Sequence, residues 1–431
     1  MKKLLILGSD FGTISVVREA HKMGLYVIVA DLMETSPTKE EADEAWLISS
    51  TDTDTLVKKC RDEDISALMF GASDFNVWNA REVCKRLDLP IYCKSDYACR
   101  VARDKGEFKR ICKAVGAPVA EDYYLTDELK EDDISRVVFP VVVKPIDKSG
   151  NRGMSYCSNR EELLAGYKAA REVSDKDIII ERQLHGKEYN VHYVLADGKA
   201  RLLYFSSTHH EPGEAENMYS FKCTTSCHLK QYVEEVNELA INVIGKAECR
   251  DGIVWFDCIR DDDGHFYLLE MGYRFGGVMT YMPYEKVSGF NTVRWMLECA
   301  LGVHHTEKDM PHALDGALSG CAASYNLFSR REGEISEIEG LDEIGNIPGV
   351  YIDIPKREGN SVRLNACIGL LGIYGENIEE VCDRLKRVNA LLKTRNNEGE
   401  NMFIYFDDYD SFREEYYTGL KQFGFNDGVR R

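Results

Sequence analysis

Residues 252–277 read GIVWFDCIRDDDGHFYLLEMGYRFGG. Two apolar runs flank Asp263-Gly264, a dipeptide that tolerates the positive φ of a two-residue type I′ turn, so the stretch predicts a β-hairpin in which Asp262 pairs with His265. Counting back along both strands puts Asp257 directly opposite Glu270. A four-residue loop would slide the pairing by two, yet both carboxylates would still share a face, because side chains alternate with period two. Like charges facing each other across a strand pair are destabilising unless something neutralises them. One reading is a hard cation with Asp257 and Glu270 as its metal ligands, and magnesium takes one or two carboxylates together with phosphate oxygens. The other is a hairpin with ordinary solvated acids. Arg274 adds a planar cation suited to carboxylate or phosphoryl oxygens, and Gly276-Gly277 lets the backbone come close to a ligand.

The chain has 431 residues, too many for one ordinary core, and 44% of them are hydrophobic, so two to four domains or subdomains are expected. A formal charge of −19 argues against nucleic acid as the main partner, since such binders carry basic patches. The apolar run in MKKLLILGSD is too brief for a signal segment, and no stretch approaches the length of a membrane span. Fourteen cysteines without a repeating spacing fit a reducing cytoplasm, with free and mostly buried thiols. Cys223, Cys227 and His228 have no second ligand pair at finger-like spacing, so zinc is not read there.

Lys3–Leu7, a helix from Ile14 to Met23 and a strand Tyr26–Ala30 ending at Asp31 make a β-α-β start. Gly8 and Gly12 are spaced G-x-x-x-G, not G-x-G-x-x-G, which favours a tight strand-to-helix turn over NAD binding. Strands at Ala45–Ser49, Ser66–Phe70 and Pro90–Tyr92, with helices Thr53–Arg61 and Asn76–Leu87, extend an open parallel sheet. Asp31 and the turn Gly71 to Asp74 lie at the strand ends where such sheets bind ligands. Asp104–Val115 is an amphipathic helix carrying Lys105. The run Phe139 to Lys144 is a β-branched strand feeding a basic, glycine-rich loop with Gly150 and Gly153, an anion concavity suited to phosphate oxygens. A strand follows at Asp177–Glu181, then a hairpin of Glu188–Leu195 and Ala200–Ser206. Ser207–Phe221 reads as a covering loop, Gln231–Gly245 as a helix. Further on come a helix at Asn291–Leu301, strands at Gly349–Ile354, Ala366–Tyr374 and Met402–Asp407, and a helix at Ile378–Leu392, together a small α+β module.

The order of RDKGEFKRICKAVGAPVA, FPVVVKPIDKSGNRGMS, IIIERQLHGKEYNV and WFDCIRDDDGHFYLLEMGYRFGG resembles the ATP-grasp superfamily, which includes biotin carboxylase, D-alanine:D-alanine ligase and L-amino acid ligases. The resemblance covers roughly residues 1–320. It implies an α/β fold with a Rossmann-like domain (1–100), an ATP-grasp domain (101–320, its lid about 121–188) and the C-terminal module (321–431). It further implies ATP and Mg²⁺ as cofactors. By matching position, Lys105 and Lys144 resemble the lysines on the nucleotide phosphates, and Gly150–Gly153 the loop closing over them. Glu181 and Leu184 stand at the adenine, Glu188 at the ribose, Asp257 and Glu270 at the magnesium, and Arg274 at the acyl phosphate. Asp257 stands where the family usually has Glu, and Gly272 where it has Asn. The activity implied is an ADP-forming carboxylate–amine ligase. A purine-pathway or carboxylase-type ligase and a nucleotide-binding protein without turnover are the alternatives. The partners expected are a small carboxylate and a small amine. Similar ligases are often dimers, so a homodimer is one expectation for the assembly.

Overall fold

The computed structural model describes residues 1–9, 12–126, 128–148, 152–211, 219–312, 320–354 and 358–424. Its first strands are β1 (Lys3–Leu7), β2 (Tyr26–Ala30), β3 (Glu44–Trp46) and β4 (Ile65–Phe70), which form a parallel sheet in the order β3-β2-β1-β4. Leu4–Leu7 and Val27–Ala30 are wholly buried, as the strands of a parallel sheet covered on both faces must be. Pro90–Tyr92 is not a fifth strand. Pro90 has no N–H for a ladder, and Tyr92 turns instead toward the hairpin. Its hydroxyl donates to the Tyr273 carbonyl at 2.7 Å, and the Tyr273 hydroxyl donates to the Tyr92 carbonyl at 3.2 Å. This reciprocal pair joins the end of the first sheet to the segment that follows the carboxylates.

The helix Lys105–Val115 starts at Asp104, whose carboxylate accepts from the Gly106 and Glu107 amides, and stops at Gly116 with φ 75°, a side-chain cap and a left-handed terminator. A second sheet contains β5 (Asp122–Thr126), β6 (Val141–Pro145), β7 (Ser155–Cys157) and β8 (Ile178–Arg182), antiparallel in the order β5-β8-β6-β7. It packs on the helix Arg160–Val173 through a small core of its own that includes Val143, Leu163 and Ile180.

The largest sheet has eight antiparallel strands: β9 (Gly186–Ala196), β10 (Lys199–His210), β11 (Tyr219–Thr224), β12 (Gly252–Asp261), β13 (Phe266–Gly272), β14 (Cys321–Phe328), β17 (Val350–Asp353) and β19 (Cys367–Gly375), in the order β13-β12-β9-β10-β11-β14-β19-β17. Two short ladders, β15 (Gly333–Glu334) with β18 (Ser361–Val362) and β16 (Glu337–Glu339) with β20 (Lys393–Arg395), flank it. Asn190, Ser206, Thr208, Lys222 and Ser324 are all buried along its central strands, so the sheet offers a polar floor rather than a purely apolar one.

That polarity explains one misreading. Ser207–His210 continues β10 and Tyr219–Phe221 begins β11; both faces of β10 meet polar partners there, so the apolar alternation of a strand is missing. Of the expected covering loop, 212–218 lies outside the described residues, as does Gly150. Met402–Asp407 forms a single bridge, Phe403 to Ser329, instead of a strand. The helix expected over Gln231–Gly245 is broken at Val236 into Leu229–Glu235 and Asn237–Lys246. All fourteen cysteines are free, and every one but Cys367 is buried. Among the described residues no helix is long and apolar enough to cross a membrane.

Candidate functional site

In the hairpin of β12 and β13, Asp257 and Glu270 are direct cross-strand partners. The route to that pairing differs from the expected two-residue turn. The Asp261 amide donates to the His265 carbonyl at 2.9 Å and the Gly264 amide to the Asp261 carbonyl at 2.8 Å, with Gly264 at φ 87°. This is a three-residue loop closed by a left-handed glycine. Asp263 favours it by accepting from the His265 amide at 2.9 Å and from the Tyr267 hydroxyl at 2.7 Å. The extra loop residue offsets the register by one, so Cys258 faces Leu268. A bulge at Leu269 then restores the offset, and Asp257 faces Glu270. Bulges re-aim side chains beside functional sites, and this one puts both acids on the same face.

Each acid has a cation beside it. The Lys105 ammonium lies 3.4 Å from Glu270 and donates to the Lys148 carbonyl at 2.7 Å, so the start of the helix touches the basic loop and the hairpin together. The buried Lys222 ammonium lies 3.7 Å from Asp257, which also accepts from the Asn190 side-chain amide at 2.6 Å. Two oxygen-donor acids on adjacent strands suit a hard divalent cation. Among the described residues no group of three or more His, Cys, Asp or Glu could hold a metal. A cation here would therefore complete its shell with phosphate oxygens and water, which is how magnesium binds.

On the second sheet, Glu181 of β8 is buried between two lysines, forming ion pairs with Lys144 of β6 and with Lys109 of the preceding helix. Lys109 also lies 3.7 Å from Asp122. Burial pushes the Glu181 carboxyl up, but Lys144 and Lys109 outweigh it and hold the group below the usual carboxylate range. Burial pulls the Lys109 ammonium down, and Glu181 offsets this only in part. Lys109 was not among the expected site residues. The signal was present: it stands four residues after Lys105, and helical positions i and i+4 share a face. Asn190 and Lys222 had no comparable signal, because their approach to Asp257 depends on the order of strands in the large sheet.

Gly153 has φ 75°, and a side chain there would come 2.5 Å from Val173 and 3.1 Å from Pro145; the glycine lets the loop return onto its helix. Leu184 lies in the link from β8 to β9. The residues on either side of it are pinned, Gln183 by the Pro140 carbonyl at 3.1 Å and His185 by the Asp261 carboxylate at 2.6 Å. Glu188 faces Ile259 across β9 and β12 and lies 3.9 Å from the His210 ring.

Arg274 is buried and grips Asp74 of the first sheet's β4 turn through two hydrogen bonds of 2.7 Å. Burial works against the guanidinium, and the Asp74 carboxylate more than compensates, holding it charged. Its face stacks on the Trp255 ring at 5.1 Å. Trp255 in turn explains Gly272, its cross-strand partner: a Cβ at 272 would run into the indole, 2.6 Å from Nε1 and closer still to Cε2 and Cζ2. Gly276 likewise seats the His192 ring, which a Cβ would meet at 3.0 Å. Lys105, Glu270, Trp255 and Arg274 line a cavity of about 360 Å³ shared with Ala72–Phe75 and the basic loop. The two-lysine group around Glu181 adjoins another part of the interior and does not line this cavity.

A family model described as ATP-grasp domain matches residues 137–281. The 2-oxoglutarate carboxylase small subunit of Hydrogenobacter thermophilus is 22% identical over 348 residues, covering 72% of this chain and 69% of that protein. The D-alanine–D-alanine ligase of Alcanivorax borkumensis is 28% identical over 199 residues, covering 44% of this chain and 60% of that protein. Among solved structures, the biotin carboxylase domain of Hydrogenobacter thermophilus 2-oxoglutarate carboxylase, bound to MgADP and bicarbonate, superimposes with a TM-score of 0.75 at 16% identity over 91% of both chains. The L-amino acid ligase from Bacillus licheniformis gives 0.74 at 16% identity, over 92% of this chain and 99% of that one.

Proposed function

We propose that this chain, which carries an ATP-grasp domain within an ATP-grasp fold, is an ATP-dependent, ADP-forming carboxylate–amine ligase acting through an acyl phosphate. The observation that carries the reading is the facing pair Asp257 and Glu270, with Lys105 bridging Glu270 to the basic loop. When bound, Mg·ATP supplies the phosphoryl group that turns a poor electrophile, a carboxylate, into a mixed anhydride that an amine can attack. Asp257 and Glu270 would hold the metal. Lys105 and Lys144 would meet phosphate oxygens, with Gly150 and Gly153 in the loop over them. Glu181, Leu184 and Glu188 would bind the nucleoside. Arg274, already fixed by Asp74 and Trp255, would steady the charge that develops on the acid, an interaction that gains strength where water is excluded.

The lysines around Glu181 support this assignment in a specific way. A buried carboxylate between two ammonium groups is kept ionised, so it is an acceptor that an amino N–H can use. The test is ADP release with Mg·ATP and a panel of acids and amines, with condensed products detected by mass spectrometry. The ligase reading expects ADP formation that requires both an acid and an amine. Nucleotide binding without any acid-stimulated ADP would instead select the reading of a non-catalytic nucleotide-binding protein.

A further inference from the structure

Asp257 ends a buried line of hydrogen bonds that starts at His192. Glu188, Asn190 and His192 alternate along β9 and so share one of its faces, and the register sets Asn190 beside Asp257 and His192 beside Trp255. Asn190 and His192 are 4% and 2% exposed. The Asn190 amide donates to Asp257 Oδ1 at 2.6 Å and to the Phe256 carbonyl at 3.5 Å, and its own oxygen meets His192 Nε2 at 2.5 Å. An ionised carboxylate can only accept. The amide nitrogen of Asn190 therefore faces Asp257, its oxygen faces His192, and Nε2 carries the proton of the ring. Burial, with Lys222 and Arg274 close by, holds that ring well below its usual range, which keeps it neutral. The ring is also held in place. It stacks on Tyr204 with centroids 4.2 Å apart, and a Cβ at Gly276 would come 3.0 Å from its Cε1. Apolar residues at 190 and 192 would suit the interior of a sheet without any demand for partners.

We infer that Asn190 and His192 are positioning residues for Asp257: the ring fixes the amide, and the amide fixes the carboxylate with Oδ1 taken and Oδ2 left for the cation. The inference rests on the ligase reading and deepens it. Lys222 approaches the same Oδ1, at 3.7 Å, so both partners of Asp257 use one oxygen. Ser206 donates to the Asn190 carbonyl at 3.1 Å and steadies the backbone under the amide. Each member of the line leaves the next a single orientation. Hydrogen bonds of this kind orient the groups that hold a metal, and their loss typically costs about ten- to hundredfold in metal affinity.

The test is calorimetric binding of a non-hydrolysable ATP analogue, with and without magnesium, to the wild-type protein and to Asn190→Ala, Asn190→Leu, His192→Phe and His192→Gln. The readout is the magnesium enhancement, the ratio of the two affinities. It should fall about tenfold or more in both Asn190 variants and in His192→Phe, while affinity without magnesium stays within about a factor of two. His192→Gln retains an N–H donor near the Nε2 position, so it should keep the enhancement to within about threefold of wild type. A ring that served packing alone would be replaced better by Phe than by Gln. An unchanged enhancement in either Asn190 variant, folded by circular dichroism, overturns the inference. So does a His192→Gln variant as impaired as His192→Phe, and this comparison decides the matter if neither Asn190 variant folds. A wild-type protein that does not bind the analogue overturns the ligase reading and the inference with it. Wild-type enhancement that every variant shares leaves the ligase reading standing and removes only the positioning role.

Discussion

Gly272→Ala tests the packing that shapes the site. The added methyl group would overlap the Trp255 indole at Cε2, Cζ2 and Nε1, and Trp255 has little freedom to yield, because it is buried and stacked on Arg274 at 5.1 Å. Overpacking of this kind costs about 1–3 kcal/mol. A displaced indole also loses its contact with the Arg274 guanidinium, about 0.5–2 kcal/mol more. The expected destabilisation is therefore near the upper end of the first range, measured by urea unfolding followed by circular dichroism. The same substitution in a Trp255→Ala background removes the clash, so its cost should fall below about 0.5 kcal/mol, a coupling typical of residues in contact. Gly272→Ala at wild-type stability, or an equal penalty with and without Trp255, would refute the reasoning.

Lys109→Met should destabilise by about 1.5–3 kcal/mol, the range for a hydrogen bond to a charged group. Because Glu181 is held below the ordinary carboxylate range, its contribution is present above that range and is lost as pH falls through its folded-state value. The gap between variant and wild type should therefore be widest near neutrality and narrow below about pH 4.3; a gap independent of pH in urea titrations would contradict this. His209 is buried against Ser207 at 3.0 Å, with Lys187 at 3.3 Å and Glu415 of the last helix at 3.6 Å. Burial pushes its ring down to about 3, so the stability of the neutral ring is complete above about 6.5, its unfolded value, and drains away as pH falls. His209→Gln should remove part of the stability loss between about pH 6.5 and 5; identical slopes would exclude His209 as a source.

What could be read in the sequence was what depends on local pattern. The β-α-β start, the capped helix at Asp104 and the facing acids all follow from turn chemistry and alternation over a few residues. Even the hairpin succeeded by two deviations that cancel, a longer loop and the Leu269 bulge, neither of which the pattern fixes. The functional role given to Glu181 by resemblance carried no hint of Lys109, although the four-residue spacing from Lys105 held the clue.

The long-range features were not readable. CAASYNLF became β14, between β11 and β19; its alternation of Ala323, Tyr325 and Leu327 with Ser324 and Asn326 is a strand signal that the reading passed over. The helix Tyr409–Gln422 is rich in acids and tyrosines; it is stabilised by Phe412, by Gly419 against Ser226 and Cys227, and by Glu415 on Lys187 at 3.0 Å. The Asp74–Arg274 clasp spans two sheets and 200 positions of sequence, a separation that no local rule covers. Gly272 looked like a missing ligand, and its cause is a partner, Trp255, directly across the strand.

The most direct test of the site is calorimetric binding of ATP to the wild-type protein and to a Asp257→Asn, Glu270→Gln double variant, each with and without magnesium. Both substitutions keep size and remove charge. The wild-type protein should bind ATP more tightly when magnesium is present, and the double variant should bind it with an affinity that magnesium does not improve, its fold unchanged by circular dichroism. An undiminished magnesium effect in the folded double variant would contradict the assignment of Asp257 and Glu270 as the metal-holding pair.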